Sequence, residues 1–342
     1  MKFNSLKSTI LNLLFALTCI LLFSRAGYSQ VISAADKKKL LAKEDTLKLY
    51  AQSLVMDSLT ARRMISDSLF TRTLVRSLQI KNSFYFPFDS VQGISKLYAP
   101  DSTFRIFTWN ILYDDFYSRQ KGAIQLKTKD GSLKLIPLRD VSEFTANAMD
   151  SIRGRSNWIG AIYYNIIQTE YKGKNYYTLF GIDYNTVRST KKWIEVLTFN
   201  ERNEAVFGGP LFSYQRDSIK KAPQYRFELE YKKDARVLAN YIAEVNMILV
   251  DHLISESDEP ENKWTLIPDG DNEGFKWENG KWVHIDKAFD FKIDMKGVDP
   301  YLGKPPVGEP ILDNKGNRDD KKLQEKSDKN KTKENRQIDY NN

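Results

Sequence analysis

The sequence predicts an α+β protein: an N-terminal helical segment, then a mainly antiparallel β-meander (a sandwich or an open curved sheet), then a disordered C-terminal tail. Three observations carry this. No Gly or Pro occurs between Tyr28 and Phe86, and apolar residues recur there at helical spacing. From Phe104 to Asp290, aromatic and β-branched runs are separated by short turns bearing Gly, Asn or Asp. From Tyr301 onward, apolar residues become scarce among Lys, Asp, Glu and Asn. The implied boundaries are 1–30 for a leader, 31–83 for the helical segment, 84–300 for the β-rich domain and 301–342 for the charged tail.

Met1 to Gln30 has the layout of a secretory signal peptide. Lys2 and Lys7 give a positive start, Ile10 to Phe23 is apolar but short for a membrane span, and small residues near Ala26 and Gln30 suit cleavage. Two alternatives stand beside it. Leu17-Thr18-Cys19 would be a lipoprotein signal, but the apolar run continues past the cysteine and Thr is a poor residue before it. An uncleaved leader would act as an anchor, because the site is not an ideal A-x-A. The leader, if kept, is the one membrane contact the sequence offers. The expected location is the periplasm or the cell envelope. Cys19 is the sole cysteine, so a chain cleaved after the leader has no disulfide, thiolate metal site or cysteine nucleophile.

Ala34 to about Ile80 is helical. Leu47, Ala51, Leu54, Val55 and Leu59, then Phe70, Leu74 and Leu78, recur with helical period. Unbroken, such a helix of ~46 residues would reach about 70 Å. Asp57-Ser58 or Ser66-Asp67 could break it by capping. The apolar stripe drifts out of heptad register, which favours two ordinary helices packed on the sheet over a projecting stalk.

Phe84 to Pro100 reads as an aromatic connector against the core. Phe104 to Tyr113 alternates as a strand. Ala123–Lys127 and Leu133–Leu138 flank a turn at Lys129-Asp130-Gly131-Ser132. Val141 to Arg153 reads as the one helix of this region. The centre is a hairpin: Trp158 to Tyr171, a turn at Lys172-Gly173-Lys174-Asn175, then Tyr176 to Tyr184. Strict alternation puts Trp158, Ile162, Tyr164 and Ile166 on one face, and Ile159, Ala161, Tyr163, Ile167 and Tyr171 on the other. Both faces are apolar, so the hairpin should be covered on both sides. Further pairings are expected for Trp193–Phe199 with Ala205–Phe207, for Tyr225–Tyr231 with Val237–Ile254, and for Phe275–Trp277 with Lys281–Val283 across Glu278-Asn279-Gly280. Irregular spacing argues against a propeller or solenoid. The strands share no lipid-facing apolar face, which argues against an outer-membrane barrel.

Hydrophobic residues make up 41% of the 342-residue chain and aromatics 13%, enough for a large core. The formal charge is +8, but Lys and Arg are interspersed with Asp and Glu and form no basic stripe. That pattern argues against a nucleic-acid footprint and leaves an anionic envelope surface as a weak partner.

The sharpest chemical signal is Pro268-Asp269-Gly270-Asp271-Asn272-Glu273-Gly274-Phe275. Asp269, Asp271 and Glu273 alternate ahead of Gly274 as at the start of a calcium loop, where oxygens converge on a hard cation. The twelfth place is Gly280 instead of Glu, and strands flank it, so a solvated acidic turn is the competing reading. The chain has two histidines, His252 after Asp251 and His284 before Ile285-Asp286. A His–Asp pair could orient a base or a metal ligand, but HExxH spacing is missing, and histidines hydrogen-bonded on a sheet are the favoured reading. Arg105 to Asp115 is superficially similar to the opening strand of the endonuclease/exonuclease/phosphatase family, whose later motifs are absent. There is no P-loop, GxSxG elbow or GxGxxG fingerprint.

Trp109-Asn110, Asp251-His252-Leu253 and the closing hairpin Phe275-Lys276-Trp277 to Gly280-Lys281-Trp282 resemble a group of uncharacterised secreted proteins of Bacteroidetes-type bacteria. The leader end at Tyr28-Ser29-Gln30 suits that origin. The resemblance implies an exported envelope protein and transfers no functional residue. The leading expectation is a non-catalytic envelope binding or scaffolding protein, meeting an envelope partner through Asp36–Ile80 or the sheet and needing no cofactor. One alternative is a periplasmic carrier of an apolar ligand. Another is a hydrolase, with or without calcium, using Asp114, Asp115, Asp251 or the Asp269–Glu273 loop.

Overall fold

The structure, a computed structural model, describes residues 32–114 and 117–288. The expected leader with Cys19, the tail 301–342, and Asp115 lie outside the described residues. Of the described residues, those up to Asp286 belong to one compact unit.

Two helices open it, α1 (Ala34–Met56) and α2 (Thr60–Leu78). The Ser33 hydroxyl caps α1 by accepting the Asp36 N–H at 3.1 Å. The break falls at Asp57, whose carboxylate accepts the Leu59 N–H. Arg63 staples this corner. Its Nη1 donates to the carbonyls of Asp57 at 2.7 Å and Ser58 at 3.1 Å, and its Nε to the Leu112 carbonyl at 2.8 Å. The expected pair of packed helices therefore forms, and no stalk does. Leu40, Leu47, Ala51 and Leu54 of α1 join Phe70, Leu74 and Leu78 of α2 against Phe107, Trp109 and Ile111 of the first sheet.

That sheet has the order β1 (Ser95–Tyr98), β2 (Phe104–Leu112), β3 (Ser118–Leu126), β4 (Lys134–Arg139). The strands that follow are β5 (Arg153–Gly154), β6 (Ile162–Tyr171), β7 (Lys174–Asp183), β8 (Ser189–Phe199), β9 (Ala205–Phe207), β10 (Phe212–Ser213), β11 (Arg226–Lys232), β12 (Ala239–Ile242), β13 (Met247–Ser255), β14 (Leu266–Glu278) and β15 (Lys281–Ile285). The second sheet runs β5-β9-β8-β7-β6, with β11 also paired to β8, and the third runs β10-β15-β14-β13-β12. Among these strands only β10 and β15 pair in parallel.

The layers stack as helices, first sheet, second sheet, third sheet. Phe104, Ile106 and Ile124 meet Trp158, Tyr163, Leu179 and Leu197 between the first and second sheets. Phe180, Ile194 and Val196 meet Ile248, Val250, Phe275 and Trp282 between the second and third. The central hairpin, β6–β7, is therefore covered on both faces, as its apolar character requires. It closes through Lys172-Gly173, whose φ values of 51° and 72° suit a two-residue turn.

Several expectations need correction. A β-bulge between Tyr163 and Asn165 interrupts the alternation of β6. Ile166 consequently packs with Tyr163, while Tyr164 lies against Phe180 on the other face. Val141 to Arg153 is not a helix: it holds one 3-10 turn, Ser142–Phe144, and ends as β5. Asp140 Oδ1 accepts the Ser142 and Gly160 N–H groups, and Asn147 Oδ1 accepts the Met149 N–H. Such side-chain bonds compete with a helical ladder. Tyr225–Tyr231 does not pair with Val237–Ile254. As β11 it joins β8, while β12 and β13 make their own hairpin. The connector 84–100 contains the edge strand β1.

Candidate functional site

The acidic stretch after Pro268 is no turn between strands. It lies inside β14, as a bulge. Asp251 pairs with Asn272 and Leu253 with Pro268, so Asp269, Gly270 and Asp271 all stand opposite His252. Gly270 takes a φ of 98°, open to glycine and strained for other residues. The bulge turns Asp269 back, and its Oδ2 lies 2.7 Å from His252 Nδ1.

Both histidines of the chain meet here. Glu273 on β14 stands between them: its Oε2 is 3.1 Å from His284 Nε2 on β15, and its Oε1 is 4.0 Å from His252 Nε2 on β13. His284 Nδ1 lies 2.9 Å from Asp217 Oδ2, on the chain after β10. A line of alternating acids and imidazoles results: Asp269, His252, Glu273, His284, Asp217. His252, Glu273, His284 and Asp217 of this line border a cleft of about 520 Å³ between the second and third sheets, which Lys191, Glu228 and Glu230 also line.

The electrostatics follow from the geometry. Its hydrogen bond to Asp269 raises the pKa of His252. Burial works against a charged His284, but Glu273 and Asp217 outweigh it and raise its pKa as well. Asp269 is held low by the Asp271 backbone N–H, with help from His252. Asp251 lines the same cleft, and burial raises its pKa although its carboxylate accepts from the Leu238 N–H and the Asn272 amide.

The calcium set does not gather at one point, since Asp269 and Glu273 are each turned to a histidine. Among the described residues, no group of three or more His, Cys, Asp or Glu side chains is placed to hold a metal ion. Asp114 belongs to the β2–β3 connection, on the first sheet. The hydrolase carboxylates of the sequence reading are therefore split: Asp251, Asp269 and Glu273 meet, and Asp114 does not join them.

A second concavity went unseen in the sequence. α2 covers β2 and leaves a groove of about 410 Å³ over β3 and the edge strand β4. Leu74, Val75 and Leu78 form one wall, and Trp109, Ala123, Leu135 and Pro137 line the rest. Ala123 pairs with Pro137, so two small side chains leave space where larger ones would fill it. The rim is basic. Arg119, Lys121 and Arg139 border the groove, and Arg72 and Arg76 extend it along α2. Lys121 pairs with Asp67, whose Oδ1 also accepts Trp109 Nε1 at 3.0 Å. Arg72, Arg76 and Arg139 have no ion-pair partner among the described residues. Thr71 Oγ1, at the same rim, is buried without a hydrogen-bond partner among the described residues. The sequence signals that could have pointed here are the Gly122-Ala123 pair, Pro137, and the Arg72/Arg76 pair one helical turn apart beside Leu74.

Among the described residues, no helix is long and apolar enough to cross a membrane. No protein-family model, no curated protein and no solved structure matches this chain.

Proposed function

We propose that this is an exported binding protein that carries an anionic amphiphile, such as an acyl carboxylate, in the groove between α2 and β4. The carrying observation is the pairing of an apolar floor with a basic rim whose Arg72, Arg76 and Arg139 have no ion-pair partner among the described residues. The volume of about 410 Å³ falls within the roughly 300–1,000 Å³ of small-molecule pockets. An acyl chain would bury against Leu74, Leu78, Trp109 and Ala123, while Arg76, Lys121 and Arg139 would face its charged head. Export rests on the leader and on the resemblance to secreted proteins.

Mass spectrometry of gently purified protein should reveal a co-purifying acyl species. A fluorescent fatty acid should bind the stripped protein. Charge reversal in Arg76→Glu/Arg139→Glu should weaken it at least about tenfold, ~1.4 kcal/mol, with a smaller effect on a neutral alcohol analogue. Ala123→Phe should block both probes. No co-purifying lipid together with no probe binding would overturn the reading.

A scaffolding role has its own support. Val55, Met56, Leu59 and Ile65 are exposed around the α1–α2 corner, within the Asp36–Ile80 stretch. Contiguous exposed apolar residues mark interaction surfaces. In-cell crosslinking from this corner should capture one reproducible envelope protein, and a soluble uncrosslinked monomer would count against it.

A further inference from the structure

We propose that a cavity walled by the second sheet and by the segment 142–148, between β4 and β5, binds a neutral polyhydroxylated molecule of the size of one sugar ring, anchored by Trp193 and Asp183. The cavity measures about 220 Å³, the share of about seven waters at ~30 Å³ each. It falls short of the roughly 300–1,000 Å³ that drug-sized ligands occupy, so a single ring is the size that fits.

Strand register gathers the polar side chains. Asp183 stands opposite Lys191 in the β7–β8 pair, and Trp193 stands opposite Glu228 in the β8–β11 pair. Lys191 and Trp193 are two residues apart, so they share one face of β8. All four line the cavity, and Ile159, Ala146 and Ala148 add apolar wall.

Two buried polar atoms of this lining lack partners. Trp193 is 4% exposed, and its Nε1 donor has no hydrogen-bond partner among the described residues. Buried donors are rarely left so, because an unmade hydrogen bond there is costly. Asp183 is 7% exposed, and both of its hydrogen bonds, from the Gln120 amide and the Asn185 N–H, arrive at Oδ1. Its Oδ2 has no hydrogen-bond partner among the described residues. Burial raises the Asp183 pKa, as for a carboxylate short of donors. The site thus wants an acceptor at Trp193 and a donor at Asp183, and a hydroxyl supplies either. Lys191 already answers two carboxylates, Glu228 at 2.7 Å and Glu230 at 3.3 Å. The lining is therefore net acidic and disfavours an anion. The C–H faces of a sugar ring suit Ile159, Ala146 and Ala148.

In isotope-labelled full chain, the indole N–H resonance that disappears in Trp193→Phe is the reporter. Titration with glucose, galactose, ribose and myo-inositol should move that resonance for at least one of them, saturably and with millimolar affinity or tighter. Cyclohexanol, a ring with a single hydroxyl, should bind at least about tenfold more weakly. Asp183→Asn should also weaken the best of the four about tenfold or more, because Gln120 and Asn185 hold the amide oxygen in the place of Oδ1 and a second donor then replaces the free acceptor. The same variant should keep or raise the melting temperature, which separates lost binding from lost folding. Trp193→Phe, followed by calorimetry, should lose affinity as well. A reporter resonance that none of the four probes moves would leave the space to water and overturn the proposal, and so would affinity unchanged in both Asp183→Asn and Trp193→Phe.

Discussion

Arg226 and Glu195 form an ion pair sealed away from water: Nε donates to Oε2 across 3.1 Å, and the side chains are 0% and 1% exposed. It locks β11 to β8. The other Glu195 oxygen accepts the Tyr163 hydroxyl, which in turn accepts Trp158 Nε1 at 2.7 Å. Arg226 Nη1 donates to the carbonyls of Ala148 and Ser151, which ties down the chain where the sequence predicts a helix. Arg226→Met should cost about 3–5 kcal/mol, because it strands a buried carboxylate. Removing both charges with Arg226→Met/Glu195→Leu should recover much of that loss in guanidinium unfolding. A double variant no more stable than the single one would refute this account.

Asp183 ends β7 in a buried position. Its carboxylate accepts from the Gln120 amide at 2.6 Å and the Asn185 N–H at 2.9 Å, yet burial raises its pKa. A folded pKa above the unfolded one means that the protonated form favours folding. The benefit is complete below the unfolded carboxyl range and is lost as pH rises through the folded pKa. Asp183→Asn, which keeps the acceptor oxygen and never ionises, should therefore melt higher than the parent at neutral pH. Its advantage should shrink as pH falls toward about 4. Melting curves across that range decide it, and an advantage growing in acid would reverse the sign.

Gly173 and Gly280 sit at corresponding places in two hairpin turns, with φ values of 72° and 79°. A Cβ at Gly173 would meet nothing within 4 Å, whereas one at Gly280 would lie 2.4 Å from a ring carbon of Tyr171. Gly173→Ala should thus cost only the left-handed strain, about 1–2 kcal/mol. Gly280→Ala should cost a further ~1–3 kcal/mol, since the two hairpin tips would be pushed apart. Equal losses in urea melts would contradict the tip-to-tip contact.

Arg63→Ala should loosen the helix corner. The side chain is buried and hydrogen-bonded to Asp57, Ser58, Thr60 and Leu112. Losing charged hydrogen bonds of this kind should cost about 1.5–3 kcal/mol. Hydrogen exchange should rise first in the opening turn of α2 and leave β7 and β8 protected.

Local chemistry made much of this protein legible from its sequence. The gap in Gly and Pro, the drifting apolar stripe and the helix-breaking Asp57-Ser58 pair specify two helices with a break, because helix formation is decided over one or two turns. Lys172-Gly173 and Asn279-Gly280 specify tight hairpins, because few residues accept two positive φ values in succession. The two-sided apolar pattern of the central hairpin required cover on both faces.

Only the tertiary structure decided the rest. Which strand β11 joins depends on a partner 31 residues away, Glu195, and on burial energies that no local window contains. The helix read into Val141–Arg153 lost to side-chain bonds from Asp140 and Asn147 and to anchoring by Arg226. The bulges in β6 and β14 turned side chains that strict alternation placed elsewhere. The Asp269–Glu273 run was visible, but its bonding to His252 and His284 was not, since those residues come together only when β13, β14 and β15 pair. The groove under α2 has the same origin: it is a gap between two elements, and a gap exists only once both are packed.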